Sequence, residues 1–348
     1  MNTTPDLATP DRWHRPLVAT SVGFAALTVF ALAATIVDDR TLLGEPVWTK
    51  VFKFALAFTV HNFTLAWLIR HMTRARRFGW WAGTAFAAIS VPEVGVIVMA
   101  ASLGTYSHFN SSDALPNLIV QSAFRYGVPF LLVINLLMGA VVLRQRLLDR
   151  AVTAVIRWGL LLSSLGMASA LFILSVAEQR RRTVEDAYGD EVELSGGHGI
   201  GDPDGNGMPL TGWSTTGGDL RVSHFIGLHG IQVLIVAALV LSALAVRFAW
   251  LRDERTRARI VHSLSLGYLG LFATTVWQAV RGQSLVTPDA ATLTALAASA
   301  AVTVLGIALT VATARVPHAA LDDQIPAEFS REAKEVTEAD WEPAVPLR

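Results

Sequence analysis

Several ionisable side chains interrupt the long apolar runs of this sequence, and their types suit proton transfer. Ionisable groups are costly inside a bilayer, where they usually face a protein interior or a water-filled cavity. Histidine and glutamate are the side chains that most often act in general acid–base catalysis. We therefore take His61, Glu93 and His229 as candidate catalytic residues.

A second set of polar residues combines cations with amide donors, which suits it to ligand binding. At 100° per residue, Lys50, Lys53 and His61 lie within about 80° of one another on a helix. Gln121 and Arg125 also fall on one helical face. The predicted ligand-binding residues are Lys50, Lys53, Gln121, Arg125, His224, Gln232, Gln278 and Arg281.

Four histidines are candidate ligands for a metal ion or haem: His61, His198, His224 and His229. A regular helix separates His224 from His229 by about 140°, so these two cannot bind one ion together. The His-Glu-x-x-His and Glu-x-x-His spacings are absent, and the chain has no cysteine. A metal site would need several helices, for instance through His61 with His229 or with His198. Ordinary hydrogen-bonding histidines are the alternative interpretation.

The elements that carry these residues are apolar runs of about 20 residues, the length that crosses a bilayer. Charged residues make up 16% of the chain, against about 25% in soluble domains, and the mean hydropathy is +0.45. We predict an all-α membrane protein, a bundle of about eight transmembrane helices. The predicted spans are 17–37, 47–69, 80–103, 117–143, 154–177, 223–247, 260–280 and 290–313.

Arginine-rich loops alternate with loops poor in positive charge, which predicts the orientation of the helices. Arg77, Arg150 and Arg255 represent the three arginine-rich loops and belong in the cytoplasm. Both ends of the chain are then cytoplasmic, an N-in/C-in topology. The predicted parts are a cytoplasmic N-terminal tail (1–16), a transmembrane domain (17–316) with one long outer loop (180–222), and a disordered acidic cytoplasmic tail (317–348).

With this topology, most of the polar residues lie in the outer half of the bilayer. Helices that run in opposite directions carry them at opposite sequence ends but at similar depth. We therefore expect one shared polar cavity beneath the 180–222 loop. Within it, Glu93 and Arg125 should form an ion pair or line the same cavity, because an unpaired charge in a span is costly.

Three segments carry a family resemblance: GEPVWTKVFKFALAF (44–58), TGWSTTGGDLRVSHFIGLHGIQ (211–232) and WQAVRGQSL (277–285). They resemble a family of uncharacterised bacterial multi-spanning integral membrane proteins. The resemblance implies a multi-pass protein of the bacterial plasma (inner) membrane. It implies no chemistry, since the family carries no known activity.

Three classes of function stay open at this point. The first is a membrane-embedded enzyme or redox protein that uses histidines as acid–base groups or as metal or haem ligands. The second is a transporter or binding protein for a small anionic molecule or lipid, because cations outnumber the carboxylates Glu93 and Glu178 in the expected cavity. The third is a structural or partner-binding protein of the lipid bilayer. A formal net charge of zero gives no field that would recruit nucleic acid.

Overall fold

The computed structural model describes residues 13–145, 147–177, 181–201 and 207–314. Within these ranges, eight helices are long and apolar enough to cross a membrane, which confirms the predicted number of spans. The C-terminal tail and residues 1–12 of the N-terminal tail lie outside the described residues. The helices are α1 Arg15–Val37, α2 Thr49–His71, α3 Arg76–Ser102, α4 Leu115–Leu143, α5 Arg150–Ala177, α6 Leu220–Leu244, α7 Glu254–Val280 and α8 Ala290–Ala312.

Polar caps decide where several of these helices begin. The side chains of Asp219, Asp253 and Asp289 accept hydrogen bonds from backbone N–H groups in the first turns of α6, α7 and α8. Such caps satisfy donors that have no partner within the helix. The cap at Asp253 explains why α7 begins at Glu254, six residues before the predicted span, which was placed from the apolar residues alone.

Small residues allow the helices to approach one another closely. Gly166 of α5 faces Gly227 of α6, and a side chain on either glycine would overlap the backbone of the other helix. Gly267 and Gly270 of α7 lie against α8, where Gly270 contacts Ser299. Small residues at such crossings are typical of packed helices in membranes, where burial of apolar surface gives no net gain.

The loops meet at two opposite ends of the bundle. At the end that we call the arginine end, the loops after α2, α4 and α6 interact. The side-chain oxygen of Gln145 accepts hydrogen bonds from the backbone of Thr73 and Arg74, both at 2.9 Å. Arg257 forms an ion pair with Asp149 at 2.9 Å. The three arginine-rich loops therefore lie on one side of the protein.

The other four loops assemble at the opposite end, which we call the capped end. Three short antiparallel strand pairs form there, an addition to the predicted all-α fold. The strands are β1 Thr41–Leu42 with β2 Glu45–Pro46, β3 Arg181–Glu185 with β4 Glu191–Ser195, and β5 Gly199–Ile200 with β6 Gly218–Asp219. The loop after α3 joins β4, since Ser111 N donates to the carbonyl of Glu193 at 2.9 Å. The described part of the long loop is thus an ordered cap over the helices.

Candidate functional site

Lys53 of α2 joins two loops of the cap, through a salt bridge to the loop before α2 and a hydrogen bond to the long loop. The Lys53 ammonium lies 3.3 Å from a carboxylate oxygen of Glu45 and donates to the carbonyl of Thr211 at 3.0 Å. The Glu45 carboxylate rests against Gly212, whose φ of +65° suits glycine and where a side chain would collide with it. Lys53, a predicted ligand-binding residue, is therefore engaged with the cap.

A second ion pair lies where the cap enters α6. The Arg221 guanidinium donates to the carboxylate of Asp219 through Nε at 3.0 Å and through a terminal nitrogen at 2.7 Å. The backbone N–H of Ser214 donates to the same carboxylate at 2.9 Å. The Asp219 side chain is 1% exposed. These contacts neutralise the negative charge of Asp219.

Lys50 differs from these two cations because it has no counter-ion. It lies half-buried in the first turn of α2, within electrostatic range of Arg221, Lys53 and Glu45. No hydrogen bond or ion pair joins Lys50 to another residue in the described ranges. Glu45 already pairs with Lys53, and Asp219 already pairs with Arg221. An uncompensated positive charge therefore remains beneath the cap.

Two histidine rings lie close to Lys50, one from each of two loops. The ring centroids of His108 and His198 are 6.2 Å apart. His108 packs on Phe124 at 4.1 Å, and His198 packs edge-on against Phe109 at 4.8 Å. These aromatic contacts hold both imidazoles close to the positive charge of Lys50.

The surroundings of both histidines disfavour their charged form. Burial lowers the pKa of His108 well below its ordinary value, and the charge of Lys50 adds to the effect. Burial also lowers the pKa of His198, with further contributions from Arg221, Lys50, His108 and Arg182. Both imidazoles are therefore neutral at neutral pH. We call Lys50, Lys53, His108, His198 and Arg221 the cap-end cation cluster.

A second polar group lies deeper, between α2 and α6. His61 is 7% exposed and stacks on Phe86 with ring centroids 5.1 Å apart. Neither of its ring nitrogens has a hydrogen-bond partner among the described residues. Across from it, Gln232 donates to the Thr64 hydroxyl at 3.3 Å. The amide oxygen of Gln232 has no well-formed hydrogen bond among the described residues, although His229 lies close enough to interact with it. His229 lies within electrostatic range of His61.

Such unpaired buried atoms are unusual, since each costs about 1–3 kcal/mol. We call His61, Thr64, His229 and Gln232 the mid-bundle polar group. Eight residues separate His61 from Lys53, a distance of about 12 Å along the helix. The predicted site residues are thus divided between two places at different depths.

The predicted ion pair between Glu93 and Arg125 is wrong. Glu93 is 3% exposed, and its carboxylate lies against Gly127 of α4. Two residues turn a helix by about 200°, so contact through Gly127 directs Arg125 away from α3. Arg125 is exposed, and neither charged group has a hydrogen bond or ion pair with another described residue. No hydrogen bond or ion pair joins Glu93 to His61 or His229 either, so the three candidate catalytic residues do not form a hydrogen-bonded unit.

Two other predicted residues support the helix packing. The Gln121 side chain donates to the carbonyl of Asn110 at 2.7 Å, which holds the loop before α4. His224 Nδ1 donates to the carbonyl of Gly166 at 2.6 Å, at the close crossing of α5 and α6. Both side chains therefore have structural partners.

Gln278 and Arg281 act in a similar way at the end of α7. The Gln278 amide donates to the carbonyl of Ser284 at 2.8 Å. Arg281 forms an ion pair with Asp289 at 2.8 Å and lies over the ring of Trp277 at 3.9 Å. The charge of Arg281 is therefore already balanced.

The metal hypothesis gains no support from the geometry. The residues with described positions include no group of three or more His, Asp or Glu side chains arranged to hold a metal ion. Of the four candidate ligands, His198 belongs to the cap-end cluster, His224 bonds the backbone of Gly166, and His61 and His229 lie in the mid-bundle group. A metal or haem site stays a prediction.

Sequence reasoning missed three members of the capped end: Glu45, His108 and Asp219. Asp219 has a recognisable signal, because an aspartate directly before an apolar run is typical of a helix cap. Glu45 lies in a loop eight residues before Lys53 and meets it only through the turn of that loop, whereas His108 and its neighbour His198 are far apart in the sequence. No local pattern identifies such partners.

Comparisons with known proteins identify no relative of this chain. No family model matches the chain, and neither does any curated protein. No solved structure matches it. The resemblance to bacterial membrane proteins stays a prediction.

Proposed function

We propose that the protein is an integral membrane protein whose cap-end cation cluster binds a small anionic molecule. The observation that carries this proposal is Lys50, a half-buried ammonium without a counter-ion in the described structure. A buried charge is costly unless it is paired. A bound anion would remove that cost, and the chemistry fits a free phosphate, sulfate or carboxylate as well as the headgroup of an anionic lipid.

The neighbouring groups favour an anion over a cation. Lys53 and Arg221 add positive charge on either side of Lys50, while both nearby carboxylates already have partners. The neutral imidazoles of His108 and His198 can each donate one further hydrogen bond. A hydrogen bond to a charged group contributes about 1.5–3 kcal/mol. Loss of one such contact should weaken binding by about 10-fold or more.

The test is a thermal-shift screen of the purified protein with inorganic phosphate, sulfate, acetate and phosphatidylglycerol. A bound anion should raise the melting temperature as its concentration rises. Lys50→Met should remove that shift, whereas Arg281→Met, the matched control with a cation already paired to Asp289, should keep it. The proposal fails if no anion stabilises the wild-type protein, or if both variants respond alike.

We further propose that the capped end faces away from the cytoplasm of a bacterium and that the plasma (inner) membrane holds the protein, N-in/C-in. The support is the collection of the arginine-rich loops at the opposite end, since positively charged loops stay in the cytoplasm. Since the chain has no cysteine, a single introduced one can be labelled cleanly. A membrane-impermeant thiol reagent applied outside intact cells should label Asp190→Cys and not Thr73→Cys. The reverse pattern would reject the orientation.

A further inference from the structure

We propose a second, internal site in which the mid-bundle polar group binds a neutral protic group, either ordered water or the hydroxyl of a small neutral solute. The observation behind it is independent of the cap-end cluster. Both ring nitrogens of His61 are buried without a partner among the described residues. His229 approaches the amide oxygen of Gln232, but without a well-formed hydrogen bond. Native proteins satisfy nearly all such atoms through protein, water or ligand.

The depth of these residues removes them from bulk solvent. Gln232 lies twelve residues from Leu220 and from Leu244, the two ends of α6. His61 is near the middle of α2, twelve residues after Thr49. Twelve residues span about 18 Å of helix. At this depth the hydrocarbon offers no hydrogen bonds, so a bound group must supply them.

Hydrogen-bond chemistry defines the class of ligand. A neutral imidazole has one donor nitrogen and one acceptor nitrogen on different sides of the ring. His61 therefore needs one partner that accepts and another that donates, while the Gln232 oxygen can accept a further hydrogen bond. A hydroxyl group or a water molecule both donates and accepts. One such group placed between His61 and Gln232 would bond the Gln232 oxygen and one ring nitrogen of His61, and a second such group would bond the other nitrogen.

The absence of charged side chains in the mid-bundle polar group excludes cationic and anionic ligands. His61, Thr64, His229 and Gln232 include no carboxylate that would balance a cation and no lysine or arginine that would balance an anion. A charged ligand at mid-span would therefore carry an uncompensated cost. The side chains around this space already have other contacts. Thr64 donates to the carbonyl of Val60 at 2.7 Å, and Phe86 covers one face of His61. The space between α2 and α6 therefore suits a small neutral protic group.

A double-mutant cycle tests whether one bound group bridges the two residues. His61→Phe keeps the stack on Phe86, and Gln232→Leu removes the unpaired oxygen. If a group bridges them, the first substitution already releases it, and the losses in melting temperature are clearly less than additive. The matched control pairs His61→Phe with Asn135→Leu and should be additive. Asn135 is an amide of α4 whose oxygen also lacks a partner among the described residues, but whose nitrogen bonds Ser164 of α5. Additive losses in both cycles would overturn the proposal. Should His61→Phe not fold, His61→Gln replaces it in both cycles.

Hydroxyl-radical footprinting distinguishes the two sources of the ligand. Radicals generated from internal water oxidise the side chains beside it, so Phe86 reports on this site. Phe24, also buried but packed near Phe58, is the dry control. Oxidation of Phe86 several-fold above Phe24 identifies water. Equal oxidation combined with a coupled cycle identifies the hydroxyl of a solute. Both outcomes are independent of anion binding at the capped end.

Discussion

The capped end and the middle of the bundle use the same two helices in different ways. Near the cap, α2 and α6 carry charged side chains, Lys53 and Arg221, whose partners come from the loops. In the middle, the same helices carry His61 and Gln232, which are neutral and meet only other helices. The contrast teaches that distance from the loops governs which charges a helix can hold. Loops supply carboxylates and free carbonyls, whereas a helix interior has no free backbone groups to offer.

This contrast predicts that the largest loss of stability comes from a charge introduced in the middle of the bundle. Gln232→Glu introduces a carboxylate where no cation can reach it, and an ionised residue at the centre of a span costs about 2.5–3.5 kcal/mol. Gln121→Glu makes the same change on α4 near the cap, at an exposed position. That control should cost about 0.5–1.5 kcal/mol, the contribution of its lost hydrogen bond. Unfolding in denaturing detergent measures both, and equal losses would remove depth as the explanation.

Glu93 sharpens the comparison because it is a carboxyl group within a span. Because the Glu93 carboxylate rests against Gly127, Gly127→Ala forces the end of that flexible side chain to move and should destabilise the protein by about 1 kcal/mol, the low end for overpacking. Gly139→Ala on the same helix meets nothing closer than 3.9 Å. It should stabilise the protein by up to about 1 kcal/mol, because alanine favours helices. If unfolding experiments show that both variants change the stability in the same direction, the placement of Glu93 against Gly127 is contradicted.

The smallest expected effect is a pH dependence at the capped end. The pKa values of His108 and His198 lie well below the ordinary 6.5 in the folded protein. Without a ligand, the unfolded chain therefore binds more protons below about pH 6.5, and stability falls as the pH falls. A bound anion would raise both pKa values, so anion affinity should rise a few-fold on acidification through this range.

Titration calorimetry at several pH values measures this dependence. The double variant His108→Phe/His198→Phe keeps ring volume and should lose the part of the pH dependence that the two histidines contribute. If the anion affinity of that variant depends on pH as strongly as that of the wild type, the pH dependence comes from other groups.

The fold was more predictable from sequence than the site. Apolar runs identified all eight helices, because spanning length is a local property. Rotation about the helix axis is not local: the sequence allowed Arg125 to face Glu93, but the fold turned Gly127 toward it. The counter-ion of Lys53 was equally hidden, since Glu45 reaches it only after a loop folds back. Polar stripes thus located candidate residues, and tertiary packing decided which of them meet.

The most direct test of the central claim is the affinity of the best-stabilising anion for three proteins: wild type, Lys50→Met and Arg281→Met. Titration calorimetry gives each dissociation constant in the same detergent and at the same ionic strength. We predict that Lys50→Met weakens binding by about 10-fold or more, the value of one charge-assisted hydrogen bond. Arg281→Met should stay within about 2-fold of wild type, because Asp289 already balances that cation. Equal losses in both variants, or no loss in Lys50→Met, would contradict an anion site centred on Lys50.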